Sequence, residues 1–244
     1  MALSLFLQSL VNGLNQGAIY ALIALGYTMV YGIIRMINFA HGDFIMVGSY
    51  TLFYTVPLMI AAGMPAWLAV FAAIAVCVAV GVIVETVAYK PVRQAGSMSA
   101  LITALAMSVF LENLAMVLFG ASPKSVSAIF TLPTFQFLGA TLQIKYLLTL
   151  GIGLAMMAGL QIFVKKTRLG KAMRAVPQDK EASVLVGINV NRIITITFAI
   201  GSGLAAVAAL MYCSTYPRCT MDMGSMMGLK AFIAAVLGGI GIIP

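Results

Sequence analysis

Charge is scarce in this chain. Only 8% of its 244 residues are charged and six are acidic, against about a quarter charged in an ordinary soluble domain. With 62% hydrophobic residues and a mean hydropathy of +1.08, this scarcity excludes a soluble domain and reads as an integral membrane protein. Histidine occurs once, and the three cysteines, Cys77, Cys213 and Cys219, form no CxxC pair and no ligand spacing with His41, so no metal site is expected. No basic residue precedes Arg35, which excludes the basic stretch of a cleaved secretory signal and makes the amino terminus a retained membrane segment. The chain contains no GxxxxGK[ST], so Gly238-Gly239-Ile240-Gly241 is a packing or helix-break motif and no nucleotide or other cofactor is expected. A constellation of nucleophile, base and orienting group is also missing, and the chain is not read as an enzyme. The net charge of +8 does not point to nucleic acid, because its positive residues sit at the ends of apolar runs rather than in a stripe interleaved with aromatics.

What the sequence does hold is long apolar runs. A spanning helix needs about 20 such residues, and six runs qualify, at 10–34, 44–62, 66–89, 98–119, 146–164 and 193–212. A seventh, 229–243, offers only about 22 Å of helix and falls short of the hydrocarbon thickness. The expected fold is therefore all-α: a polytopic membrane helix bundle with six complete spans plus a truncated seventh apolar segment, in one transmembrane domain over 1–244. Ending on Gly-Gly-Ile-Gly-Ile-Ile-Pro with no polar cap, the seventh run reads as part of a longer protein, with a re-entrant segment as the alternative.

Lysine and arginine counts orient the bundle. The stretch 165–192 holds seven of the fourteen basic residues, and Lys90 and Arg93 follow the third run, placing both segments in the cytoplasm. The stretch 120–145, with Lys124 and Lys145 alone, and the loop 213–227 with Arg218, fall outside.

Polar residues inside the runs are the candidates for a pathway. Asn12, Asn15 and Gln16 lie in the first run, where an unpaired amide is costly, so they are expected to line a route or to bond neighbouring helices. Glu112 lies deep in the fourth run and is the more suspicious acid, whereas Glu85 stands close enough to Lys90 to pair near the interface. Asn38-Phe39-Ala40-His41-Gly42-Asp43 sits at a run boundary, where it reads as a turn or cap, with Asp43 favouring the amino end of the next helix. A gating role, or proton chemistry at His41, is the alternative. Gly13, Gly17 and Ala21, and again Gly201, Ala205 and Ala209, recur every four residues and predict close helix packing.

Pro177 interrupts the basic stretch, and a short helix is expected over 178–186, stopped by Gly187. Ala182, Leu185 and Val186 then share one face, while Lys180, Glu181 and Ser183 project elsewhere or toward water. Such a helix could enter a partner's groove; an ordinary loop lying on lipid headgroups is the alternative.

Glu181-Ala182-Ser183-Val184-Leu185-Val186-Gly187 is similar to the EAA-x-x-x-G motif of permease subunits in bacterial ABC importers, with Ser183 in place of the third small residue. YALIALGYTMVYGI from Tyr20, INFAHGD from Ile37, GLKAF from Gly228 and AAVLGGIG from Ala234 resemble the permease family of the high-affinity branched-chain amino acid transport system. The likeness spreads over nearly the whole chain.

The resemblance implies a multi-pass permease of the bacterial inner membrane, acting with a second permease subunit, two cytoplasmic ATP-binding subunits and a periplasmic amino-acid-binding protein. Glu181, Ala182, Ser183, Leu185 and Gly187 would then belong to the ATPase-coupling loop at 165–192. Asn38, His41 and Gly42 match a recurring family stretch. An ion-coupled secondary transporter or channel, using Glu112, Asp43 or His41, is the alternative from a different class.

Overall fold

A computed structural model of the chain describes residues 2–93, 95–137 and 140–240. In hydrocarbon every backbone N–H and C=O must find its partner within the protein, and apolar runs of this length meet that demand as helices. Six helices are long and apolar enough to span: α1 (Ala2–Ile34), α2 (His41–Ala61), α3 (Ala66–Val92), α4 (Ser97–Phe119), α5 (Ile144–Lys166) and α8 (Val190–Thr215). Two short helices, α6 (Arg168–Ala175) and α7 (Lys180–Leu185), stand between α5 and α8, and α9 (Met223–Leu237) follows. All six expected spans are present. The seventh apolar helix begins six residues earlier than its run, because Gly224 and Gly228 pack tightly on α2 and helical packing there overrides their weak propensity. The last residues of the expected run, from 241 on, lie outside the described residues.

α3 is not uniform: it opens with a 3-10 turn at Ala66–Leu68 and widens into a π-helical turn at Glu85–Tyr89. α8 is the most enclosed span and packs chiefly on α3, α1 and α2. Its stripe of Gly201, Ala205 and Ala209 is buried, and a Cβ added at Gly48 of α2 would lie 2.9 Å from that of Ala209. The other stripe behaves differently. Gly13, Gly17 and Ala21 are exposed, and Gly13 and Gly17 meet nothing within 4 Å, so the close packing expected of this stripe does not occur within the chain.

The bundle has two distinct ends. At one, β2 (Thr134–Phe137) and β3 (Ala140–Gln143) form an antiparallel hairpin, and β1 (Lys124–Ser125) pairs with β4 (Arg218–Cys219), Lys124 opposite Cys219. Gln8 fastens the start of α1 to this end, its side-chain oxygen accepting from the Thr141 amide at 2.6 Å. The other end, termed here the basic end, carries α6, α7 and the final turns of α1 and α5.

Candidate functional site

Two features stand out, a braced loop at the basic end and a polar cluster buried between helices. The loop starts with a hard turn. Thr167 caps α6, its hydroxyl accepting from the Gly170 amide at 3.0 Å, and α6 folds back so closely on α5 that any side chain at Gly170 would collide with the Phe163 and Val164 carbonyls. Met173 and Val176 are buried beneath it, while Arg168, Lys171 and Arg174 stay exposed.

α7 is only six residues long and cannot be stable by itself, but both of its ends are fixed. The Asp179 carboxylate accepts from the Ala182 amide at 3.0 Å, a side-chain N-cap. At the other end Ile188 donates to the Ser183 carbonyl at 2.9 Å and Gly187 to Val184 at 3.0 Å. With Gly187 at φ +85, this is a Schellman motif. Two residues later Asn189 caps α8 by accepting from the Arg192 amide.

The faces of α7 differ in one respect from expectation. Ala182, Leu185 and Val186 are exposed together, as the spacing predicts, and Leu185 stands 87% exposed beside Val184 and Val186. Ser183, however, points inward and is only 3% exposed, its hydroxyl donating to the Asp179 carbonyl at 2.6 Å. A small side chain that bonds its own helix fits the contact under α7 where a bulky one would not. The helix also spans Lys180–Leu185 rather than 178–186, since Asp179 takes the capping position.

Beside the start of α8 lies the one ion pair among the described residues, Glu85 with Arg93. The expected pairing of Glu85 with Lys90 does not form: the π-helical turn brings the carboxylate against α8, where the Thr195 hydroxyl donates to it at 2.7 Å. Arg93 in turn donates to the Asn191 side-chain oxygen at 2.8 Å. At the far end of the same turn the Tyr89 hydroxyl donates to Asn38.

Asn38, His41 and Asp43 are all buried. The stretch forms the expected turn, the His41 amide donating to the Asn38 carbonyl at 3.1 Å, and Asp43 lies in the first turn of α2, which begins at His41 with Ala40 as its cap and no side-chain cap bond. His41 fills a slot formed by two glycines, Gly26 of α1, where any side chain would collide with its ring, and Gly201 of α8, whose added Cβ would lie 3.6 Å from it. Tyr27 closes the slot edge-on at a centroid distance of 4.7 Å. Gly42 meets α9: an added Cβ would collide with the Gly224 carbonyl and lie 2.9 Å from the Gly228 Cα. The Asp43 carboxylate makes no hydrogen bond of good geometry, although the Ser108 hydroxyl of α4 lies beside it and Glu112 follows one turn later.

The remaining sequence candidates are not part of this cluster. Asn15 is buried with both amide atoms unpaired. Gln16 donates to the Tyr20 hydroxyl at 2.8 Å and accepts from Tyr216, and Asn12 is exposed and accepts from Gln8. Asn15 sits roughly 16 Å along α1 from Gly26, at 1.5 Å per residue. Tyr27, Tyr89 and Ser108 are cluster members that composition and spacing do not single out. The glycine pair at 224 and 228, four apart like the other small-residue stripes, is the signal that could have located the contact with Gly42.

The protein matches known sequences over nearly its full length. The family model described as branched-chain amino acid transport system / permease component covers residues 9–244. The high-affinity branched-chain amino acid transport system permease protein BraD of Pseudomonas aeruginosa is 44% identical over 98% of this chain and 81% of its own length. LivH, the corresponding permease protein of Escherichia coli, is 42% identical over 98% of this chain and 80% of its own length. The ribose import permease protein RbsC of Escherichia coli is 26% identical over 96% of this chain and 70% of its own. No solved structure matches. Six helices able to span a bilayer, together with this similarity to bacterial permeases, make the chain a multi-pass inner-membrane protein. It belongs to the family of permease components of branched-chain amino acid transport systems.

Proposed function

We propose that this permease forms part of the translocation pathway for branched-chain, hydrophobic amino acids in an ATP-driven importer. It acts there beside a second permease, two cytoplasmic subunits that hydrolyse ATP and a periplasmic binding protein. The substrate reading is supported by 42–44% identity to branched-chain amino acid permeases against 26% to the ribose permease. The basic end faces the cytoplasm.

The observation that carries the coupling role is the exposed Val184-Leu185-Val186 knob on a helix fixed at both ends. A rigid apolar knob enters a partner's groove with little loss of conformational freedom. Motion imposed on α7 is not absorbed locally, because Ile188 and Asn189 join it to α8, and α8 is tied through Thr195 to Glu85 of α3 and through Asn191 to Arg93 just past its end. ATP binding by the partners closes them on α7, and α8 and α3 tilt together to open the pathway to one side or the other.

Asn12 and the exposed Gly13, Gly17 and Ala21 stand beside exposed Leu10 and Leu14 on α1, an outer face of small and apolar residues with one amide. An amide and bare backbone suit apposition to a second permease and a wet pathway better than contact with lipid tails. The experiment is Leu185→Asp in the reconstituted transporter. Leu185 makes little contact within the chain, so the variant keeps its fold, while affinity for the ATPase subunits drops at least tenfold, in the range of an interface hot spot, and uptake falls with it. Unchanged affinity and uptake would remove the coupling role from α7, and uptake driven by an ion gradient without ATPase subunits would favour a secondary transporter.

A further inference from the structure

Beneath the loop lies a cavity of about 660 Å³ bounded by the ends of α1, α5 and α6. Its polar wall carries three cations, Arg35, Lys165 and Arg174, and its apolar wall includes the half-buried Tyr31 and Ile240 over buried Met29, Ile33 and Val164; among the described residues no carboxylate lines it. Arg35 also borders a neighbouring cavity of about 410 Å³ that holds Asp179 and Glu181, but it forms no ion pair with either. Lys165 and Arg174 likewise make no ion pair among the described residues.

Helix ends offset only half of this charge, although Arg174 donates to the Lys165 carbonyl in the last turn of α5 at 3.4 Å. α1, α5 and α6 each point a carboxyl terminus here, with a partial charge of about −0.5 apiece, which leaves three full positive charges with a net excess of about +1.5. Arg35 adds a second sign. It is the one non-glycine residue among those described with positive φ, +57, at the position after α1 where glycine is the unstrained choice. Backbone strain kept for the sake of an arginine side chain points to use of that side chain.

The depth of the cavity selects the ligand. Its walls are the last turns of two spanning helices, where hydrocarbon gives way to headgroups, so one half is apolar and the other cationic. From this geometry we infer that the cavity binds an anionic phospholipid, its phosphodiester held by Arg35, Lys165 and Arg174 and the start of its acyl chains along the half-buried Tyr31 and Ile240. A basic pocket between membrane helices is suited to that headgroup chemistry, and the volume lies in the range of small-molecule sites. The site requires only that this end of the bundle meet a leaflet, so it stands or falls separately from coupling by α7.

The test uses the whole purified transporter and measures phosphatidylglycerol retained per complex by mass spectrometry after exchange into vesicles of phosphatidylglycerol or of phosphatidylcholine. Wild type retains phosphatidylglycerol selectively. Each of Arg35→Gln, Lys165→Gln and Arg174→Gln lowers retention about fivefold, and Lys171→Gln, a loop cation outside the cavity wall, does not. Arg35→Gly separates binding from folding: it relieves the strained backbone, so thermal stability is kept or raised while retention falls. Equal retention in Arg35→Gly and wild type, or equal retention of the two lipids, overturns the site. Inorganic phosphate that alone displaces the lipid would assign the pocket to free phosphate and overturn the lipid assignment. Variants that shed the ATPase subunits with lipid retention unchanged would assign it to the protein partner instead.

Discussion

The Tyr89 hydroxyl donates a 2.6 Å hydrogen bond to the Asn38 side-chain oxygen, joining the π-helical turn of α3 to the linker between α1 and α2. The opposite end of the same turn holds Glu85, bonded to Arg93 and Thr195. One turn of α3 therefore bridges the helix that leaves the loop, α8, and the linker from which His41 and Asp43 enter the core. π-helical turns recur at functional sites because they re-aim side chains that a regular helix would point elsewhere.

Tyr89→Phe tests the first of these links. The substitution keeps the ring and its contact with Phe198 but strands the buried Asn38 oxygen, whose amide nitrogen is already unpaired. A loss of about 1–3 kcal/mol is expected, read as a lower thermal unfolding midpoint in detergent. If the linker relays motion, uptake also falls while affinity for the ATPase subunits is unchanged. A drop in that affinity would show the defect to be in docking.

Glu85 is buried and pairs with a half-buried Arg93, so removing one partner is worse than removing both. Glu85→Ala is expected to cost about 1–3 kcal/mol, because Arg93 loses its counter-charge but keeps Asn191 and some solvent. Glu85→Gln still accepts from Thr195 and costs less. The Glu85→Gln, Arg93→Gln double variant should be more stable than the sum of the two single losses, a coupling that a double-mutant cycle measures directly. Additive losses would mean the pair contributes nothing as a unit.

The spans are legible in the sequence because hydrocarbon enforces them: an apolar run of the right length has one structural answer. α7 is legible as well, since Pro177 before it and Gly187 after it punctuate the chain. α6 is harder to read. Three of its eight residues are basic and its helix rests on a Thr167 cap and the Gly170 contact, both set by how the chain turns against α5. The His41 slot is also illegible, because Gly26, Gly201 and Tyr27 come from distant parts of the chain and nothing local marks them as neighbours. Helical spacing puts Ser183 off the face of Ala182, Leu185 and Val186, elsewhere or toward water, and does not show that it is buried, because burial there depends on size and on a bond to its own helix.

Cys219 lies outside the spanning helices, and burial pushes its thiol from an ordinary 9.0 up to about 11, partly offset by Lys124. The folded protein therefore holds its proton between pH 9 and 11 where the unfolded chain has lost it, so this residue makes stability fall as pH rises through that window. Below pH 9 the group contributes no pH dependence. Maleimide labelling of Cys219 should be slow in the folded protein at pH 8 and rapid after denaturation, since the thiolate is the reacting form. Rapid labelling of the folded protein at pH 8 would contradict the buried site.

Glycine serves opposite ends at Gly42 and Gly13, and alanine distinguishes them. At Gly42 an added Cβ meets backbone atoms of Gly224 and Gly228, which cannot swing aside as a side chain can, so α2 and α9 must separate. Gly42→Ala is expected to cost about 3 kcal/mol or more, at the upper end for overpacking, with a lower unfolding midpoint in this chain alone. At Gly13 nothing lies within 4 Å, and alanine there favours the helix by up to about 1 kcal/mol. Gly13→Ala should therefore leave the isolated permease as stable as before or more so. If α1 meets a second permease through this face, the same variant weakens their association, measured as the fraction of assembled complex on size-exclusion chromatography. A Gly13→Ala protein that assembles like wild type would place the second permease on another face of the bundle.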